Sequence, residues 1–158
     1  RIPATEGYFN LGEMIIYFTA ILFGPIVAML TGGVGAALAD IILGYSTFAP
    51  ATLIIKGLEG FFVGYFYGIL SKNRKLFRFK TNTGGEQNQN MGKDVQRIII
   101  SIIPGMVVMV SGYFIFELII GVAVEAALFE VFVNVMQCLV GAILAIILVP
   151  TVKKALKI

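Results

Sequence analysis

Five apolar blocks, separated by short breaks rich in glycine, proline and polar residues, make up most of the chain. A block of about 20 apolar residues is what an α-helix needs to cross the hydrocarbon core of a bilayer, where only elements that satisfy their own backbone hydrogen bonds persist. The pattern predicts helices over Leu11–Phe23, Pro25–Gly44, Pro50–Leu70, Val95–Gly121 and Glu125–Leu156. The first is short, about 20 Å at 1.5 Å per residue, so neighbouring helices are expected to shield its ends. Gly24-Pro25 separates it from the second, because proline suits the first turn of a new helix. The other breaks are a polar turn over Tyr45–Ala49, a joint over Gly121–Val124 and a long segment over Ser71–Asp94, whose centre Thr81–Asn90 has the composition of a flexible linker.

Composition leads to the same class. Of 158 residues, 58% are apolar and only 13% charged, against about 25% charged in a soluble domain, and the mean hydropathy is +0.93. The expected fold is all-α, a polytopic membrane helix bundle built as one transmembrane domain over residues 1–158. A single cysteine, Cys138, excludes an internal disulfide.

Charge gives the bundle an orientation. Of the 12 Lys and Arg residues, only Arg1 and Lys56 stand outside the segment from Lys72 to Arg97 and the tail Lys153, Lys154 and Lys157. Basic residues flanking spans mark the cytoplasmic side, so both basic segments are placed inside, as a cytoplasmic loop over 71–94 and a cytoplasmic C-terminus. The segment Arg1–Asn10, the Gly44–Ala49 turn and the Gly121–Val124 joint are then external. Five helices with the C-terminus inside put Arg1 outside. Six transmembrane helices are therefore expected in the full protein, five of them visible in this chain; a complete five-helix protein is the alternative. The excess of positive charge reflects topology, and no nucleic acid is expected as a partner.

Ionisable groups inside a span are costly and normally face a partner or a cavity. Counted from the external ends, Glu13, Asp40, Lys56, Glu59, Glu117, Glu130, Asn134 and Gln137 all fall in the outer half of their helices. Lys56 and Glu59, three residues apart, share one helix face; they form either an internal ion pair, alone or with Asp40, or part of a ligand site. Glu130, Asn134 and Gln137 make a polar stripe that serves either a helix contact or a cavity wall. Tyr45 and Tyr113, with Tyr8, Phe9, Phe48 and Phe116, ring the mouth of the pocket these groups would form, either as a stacking surface or as an interfacial belt. Acids outnumber the one ammonium, so the expected ligand is small, neutral or weakly basic, and not a polyanion. Gly60, Gly64 and Gly68 repeat every four residues and Gly32, Gly33 and Gly35 crowd the second helix, for close internal packing or for a surface that slides on a partner.

The absences narrow the function. There is no P-loop, no histidine, no paired-cysteine motif and no nucleophile elbow, so neither catalytic residues nor a resident metal or cofactor is expected, and a membrane binding role is favoured over an enzyme.

Gly7-Tyr8-Phe9-Asn10-Leu11-Gly12-Glu13, Leu22-Phe23-Gly24-Pro25, the run Gly32–Asp40, Gly44-Tyr45 and the block Ala49–Gly60 closely resemble the substrate-binding S components of energy-coupling factor (ECF) transporters, of the riboflavin-type or hydroxymethylpyrimidine/pyridoxine-type subgroup. Gly112-Tyr113-Phe114, Glu117 and the run Glu130–Gln137 agree more loosely. The resemblance implies a multi-pass protein of the bacterial plasma membrane that captures a vitamin or precursor from outside. Its partners would be an ECF transmembrane coupling protein and two cytoplasmic ATPases, on which the S component topples to release its ligand inward. Pyridoxine- or pyrimidine-like ligands rank above riboflavin. Asp40, Lys56, Glu59, Glu117, Glu130 and Asn134 would line the site, with Asn10 and Glu13 at a lid over residues 1–10. The family's first helix carries an Ala-x-x-x-Ala docking motif that does not occur on the predicted first helix here, which fits a helix preceding Arg1. A stand-alone proton-coupled carrier or channel is the rival reading. On this view Lys56→Ala weakens ligand binding without unfolding the bundle.

Overall fold

A computed structural model describes residues 12–71 and 91–156; the expected lid over residues 1–10, with Asn10, and most of the expected basic loop lie outside the described residues. The chain forms five helices there: α1 (Gly12–Phe23), α2 (Pro25–Leu43), α3 (Ala49–Leu70), α4 (Met91–Ile119) and α5 (Val124–Leu156). No strand occurs among the described residues. Helices α2 to α5 are long and apolar enough to cross a membrane. The first predicted helix, α1, has 12 residues and so is about 18 Å long, short of the roughly 30 Å hydrocarbon core. It packs against α2, α3 and α5.

Local chemistry sets the ends. Gly24, at φ 87°, breaks the chain between α1 and α2, and Pro25 opens α2. Gly44, at φ 88°, closes α2: the Tyr45 amide donates to the Asp40 carbonyl at 2.7 Å and the Gly44 amide to the Ile41 carbonyl at 3.3 Å. Gly121, at φ 85°, closes α4 the same way, with Val122 donating to the Glu117 carbonyl at 2.9 Å and Gly121 to Leu118 at 3.2 Å. A left-handed residue after the last turn is the usual way to satisfy terminal carbonyls. Asp40 and Glu117 thus hold equivalent positions, each accepting the outermost capping bond of its helix. The basic loop ends earlier than its polarity predicted, since Met91–Asp94 belong to α4. Asp94 in the first turn suits the positive helix terminus and pairs with Arg97 at 3.0 Å.

Helix α3 is central and packs on α1, α2 and α4; α5 closes the bundle against α1 and α4. One apolar core, built on Ile16, Tyr17, Val63, Ile98, Ala145 and Val149, fills the end nearest the chain's basic segments. A smaller one, Ile55, Met109 and Cys138, lies toward the Gly44 and Gly121 end. Large apolar side chains cover the outside, Ile42, Ile119 and Phe132 among them, while acids and amides lie within. This inversion of the soluble pattern is what lipid requires. At the basic end Lys153 donates to the Tyr67 hydroxyl at 2.5 Å and approaches Asp94 at 3.7 Å. The start of α4 and the tail of α5 therefore lie on one side of the bundle, as the charge pattern anticipated.

Candidate functional site

Lys56 is the hub of the polar interior. Threonine and lysine at positions 52 and 56, and glutamate at 59, fall on one face of α3 because i, i+3 and i+4 positions align; all three are buried. The Lys56 ammonium donates to Glu13 Oε1 of α1 and to Glu59 Oε2 at 3.2 Å. Glu13 Oε1 also accepts from Gln137 Nε2 of α5 at 2.8 Å, and Glu59 Oε1 accepts from the Tyr17 hydroxyl at 3.0 Å. Lys56 ties α3 to α1, and Glu13 extends the tie to α5 through Gln137. Burial explains the density of bonds, since Lys56 is 3% and Glu59 0% exposed, and a charge so far from water persists only when paired and hydrogen-bonded.

Of the two sequence readings of Lys56 and Glu59, the ion pair is present, and its third member is Glu13 rather than Asp40. The sequence also left Glu13 free to reach the interface; instead it is 1% exposed. Its placement depends on Gly141, where a Cβ would collide with the Cβ of Glu13. Beyond the cluster, Tyr113 of α4 donates to Thr52 Oγ1 at 3.0 Å and turns its ring toward the Lys56 ammonium, 5.7 Å from the ring centroid. Carboxylate oxygens of Glu13 and Glu59 and the Cys138 thiol lie within 4.8 Å of one another. Three such groups could hold a metal, but the ammonium of Lys56 already supplies the positive charge between the two acids.

A second polar level stands nearer the Gly44 and Gly121 end. Glu117, one turn beyond Tyr113 on α4, and Glu130 on α5 are both buried and near enough for their charges to repel. Asn134 is buried between the levels, one turn from Glu130 and one from Gln137. Asp40 is buried at the end of α2. Tyr45 is half-buried on the adjoining turn, and Phe48 meets Phe116 edge to face at 5.5 Å. Every described residue singled out from the sequence therefore lies in the half of the bundle toward one end. Contacts unite Glu13, Lys56, Glu59, Gln137 and Tyr113; the like-charge pair Glu117 and Glu130 forms a separate group. Eight of the residues expected to line the chamber are buried: Glu13, Asp40, Lys56, Glu59, Glu117, Glu130, Asn134 and Gln137.

Tyr17 and Thr52 escaped the sequence reading. Each sits four residues from a charged member, Tyr17 from Glu13 and Thr52 from Lys56, so a search for hydroxyls at i+4 from buried charges would have found both.

Comparison with known proteins adds the family. The model of the family described as "ECF-type riboflavin transporter, S component" matches residues 1–154. A Pyrococcus woesei protein described as "Uncharacterized protein in gap 3'region" is 44% identical over 112 residues, 71% of this chain and 60% of that protein. The chain thus aligns with less than two thirds of that relative's length. The thiamine precursor transporter HmpT of Lactococcus lactis subsp. cremoris (strain MG1363) is 29% identical over 155 residues, 97% of this chain and 75% of HmpT.

Proposed function

The chain belongs to the family of ECF-type riboflavin transporter S components, and from that premise we propose that it is the ligand-capturing membrane subunit of an ATP-driven vitamin importer. The observation that carries this reading is the convergence of Glu13, Lys56, Glu59, Gln137 and Tyr113 from four helices at one depth of an otherwise apolar bundle. Ligand sites join apolar and aromatic walls to a few convergent polar groups. The basic segments face the cytoplasm by the positive-inside bias, which turns this half of the bundle outward. Its ligand is a small heteroaromatic vitamin or precursor. A pyridoxine- or hydroxymethylpyrimidine-like molecule is favoured, supported by the likeness to HmpT, and riboflavin is next, supported by the family description. Release inward depends on a transmembrane coupling protein and two cytoplasmic ATPases, on which the subunit topples.

The test is binding by protein purified in detergent, with native mass spectrometry to find any retained metabolite and titration with pyridoxine, hydroxymethylpyrimidine and riboflavin. Asn134→Ala removes a buried amide from the site and is expected to weaken binding about tenfold or more, the cost of a lost or unmatched buried hydrogen bond. Ser111→Ala, on the exposed side of α4 and bonded only to its own helix at Val107 and Val108, leaves affinity unchanged. Uptake into proteoliposomes without coupling protein or ATPases would instead establish the stand-alone carrier.

A further inference from the structure

We propose that Thr52 is a specificity-determining residue of the capture site, which gives its O–H to a hydrogen-bond acceptor on the captured ring, a carbonyl oxygen or an unprotonated ring nitrogen. This deepens the capture reading and rests on it. Six serines and threonines lie within the five helices. Thr19, Thr31, Ser101, Ser111 and Thr151 each donate to a carbonyl three or four residues back on their own helix. That is the ordinary resting place of a helical hydroxyl, whose oxygen lies beside the preceding turn. Thr52 departs from it. Its oxygen turns across to α4 and accepts from the Tyr113 hydroxyl at 3.0 Å, the one hydrogen bond its side chain makes among the described residues. A hydroxyl that accepts still has its own proton to give, and this one is unspent. Thr52 is 2% exposed, and a donor at that depth normally has an acceptor.

The unspent proton stands where an incoming ring would meet it. Phe48, Thr52 and Lys56 follow one another at four-residue steps along α3 from the Gly44 end inward, about 6 Å apart on one face. At the outer step Phe48 meets Phe116 edge to face at 5.5 Å. At the inner step the Lys56 ammonium, which has three N–H groups, gives two of them to Glu13 and Glu59 and lies 5.7 Å from the centroid of the Tyr113 ring. Tyr113 and Phe116 pack on the apolar cluster of Ile55, Met109 and Cys138, so polar selection between the two steps falls to the Thr52 hydroxyl. A flat ring seated against these aromatics turns an edge toward Thr52. An acceptor on that edge takes the proton, whereas a C–H or methyl group leaves it unmatched, and a site built to hydrogen-bond its ligand rejects the analogue that cannot. Tyr113 is the positioning residue. By holding the Thr52 oxygen away from the Phe48 carbonyl, the group four residues back to which it would otherwise turn, it keeps the proton available to a ligand.

The experiment is titration of the purified chain with pyridoxine, hydroxymethylpyrimidine and riboflavin, each of which carries such an acceptor, with unfolding in detergent measured alongside. Thr52→Val keeps the shape and removes the hydroxyl, and Thr52→Ala removes it without a β-branch. Each is expected to weaken the ring that wild type binds by about tenfold or more, while Thr52→Ser, which keeps the hydroxyl, holds affinity within about threefold. Ser101→Ala deletes a hydroxyl that is just as buried, bonded to the Ile98 carbonyl, and leaves affinity unchanged, so a loss of stability alone does not mimic the result. Tyr113→Phe lowers affinity in the wild-type background and causes no further loss beside Thr52→Val, because the two act through one donor. Wild-type affinity in Thr52→Val and Thr52→Ala, or a Thr52→Ser variant as weak as they are, overturns the assignment and leaves the capture reading standing. A loss from Tyr113→Phe that is as large beside Thr52→Val as in wild type overturns the positioning role. Failure of wild type to bind any of the three rings overturns the capture reading and the assignment together.

Discussion

Lys56→Met is expected to lower the unfolding free energy of the solubilised protein by about 3–5 kcal/mol, the usual consequence of removing one member of a buried ion pair. Methionine keeps the unbranched stem, so packing changes little; what is lost is the ammonium between Glu13 and Glu59. Those carboxylates would then share a site without the ammonium, with the Gln137 amide and the Tyr17 hydroxyl as donors. The triple variant Lys56→Met, Glu13→Gln, Glu59→Gln carries no charge there and should regain most of the loss, since neutral replacements of buried ion clusters are often tolerated. Denaturant unfolding in detergent measures both. A single variant as stable as wild type would show that the cluster does not hold the bundle together. The stability cost also alters how binding is tested: affinity lost in Lys56→Ala alone cannot be separated from loosening of the three helices, so the triple variant is the one that reports Lys56's part in the ligand site.

The contrast between the expected and observed behaviour of Lys56 marks what its sequence could reveal. Helix α3, its face and the depth of its charges follow from local rules: an apolar run, proline at its start, and the i, i+3 alignment of Lys56 with Glu59. The capping glycines were legible for the same reason, since Gly44 and Gly121 follow apolar runs where a left-handed residue is needed. Which acid Lys56 would choose was not legible. Glu13 stands 43 residues away on a helix whose tilt and insertion depend on Gly141, 128 positions further along. Asp40, the partner weighed from sequence, lies on the helix that contacts α3 most intimately, but near its end and at a different level from Lys56. The start of α4 was misplaced because polarity was read as loop, although Asp94 and Arg97 are helix-compatible and pair across one turn. Composition reports which groups converge and not which of them bond to one another.

Glycine substitutions along α3 should separate sharply by position although the three residues belong to one four-residue repeat. A Cβ at Gly60 would lie 2.5 Å from the carbonyl oxygen of Ala28, and one at Gly64 would lie 2.6 Å from Cα of Pro25. Both obstacles are backbone, so no rotamer change can relieve them, and α2 must move off α3. Overpacking of this kind typically costs 1–3 kcal/mol, occasionally more, and Gly64→Ala meets an element fixed by proline, which leaves it the least room to adjust. Gly68 has nothing within 4 Å of the same position, and Gly68→Ala should be neutral or stabilising by up to about 1 kcal/mol through helix propensity. Gly60 stands one residue beyond Glu59 and one turn beyond Lys56, so its substitution should also weaken ligand binding, whereas Gly68→Ala leaves it unchanged. Unfolding and ring-probe titration of the three variants give the ordering. If Gly60→Ala and Gly68→Ala behave alike, the close approach of α2 to α3 does not position the site, and the sliding-surface role for this stripe regains its standing.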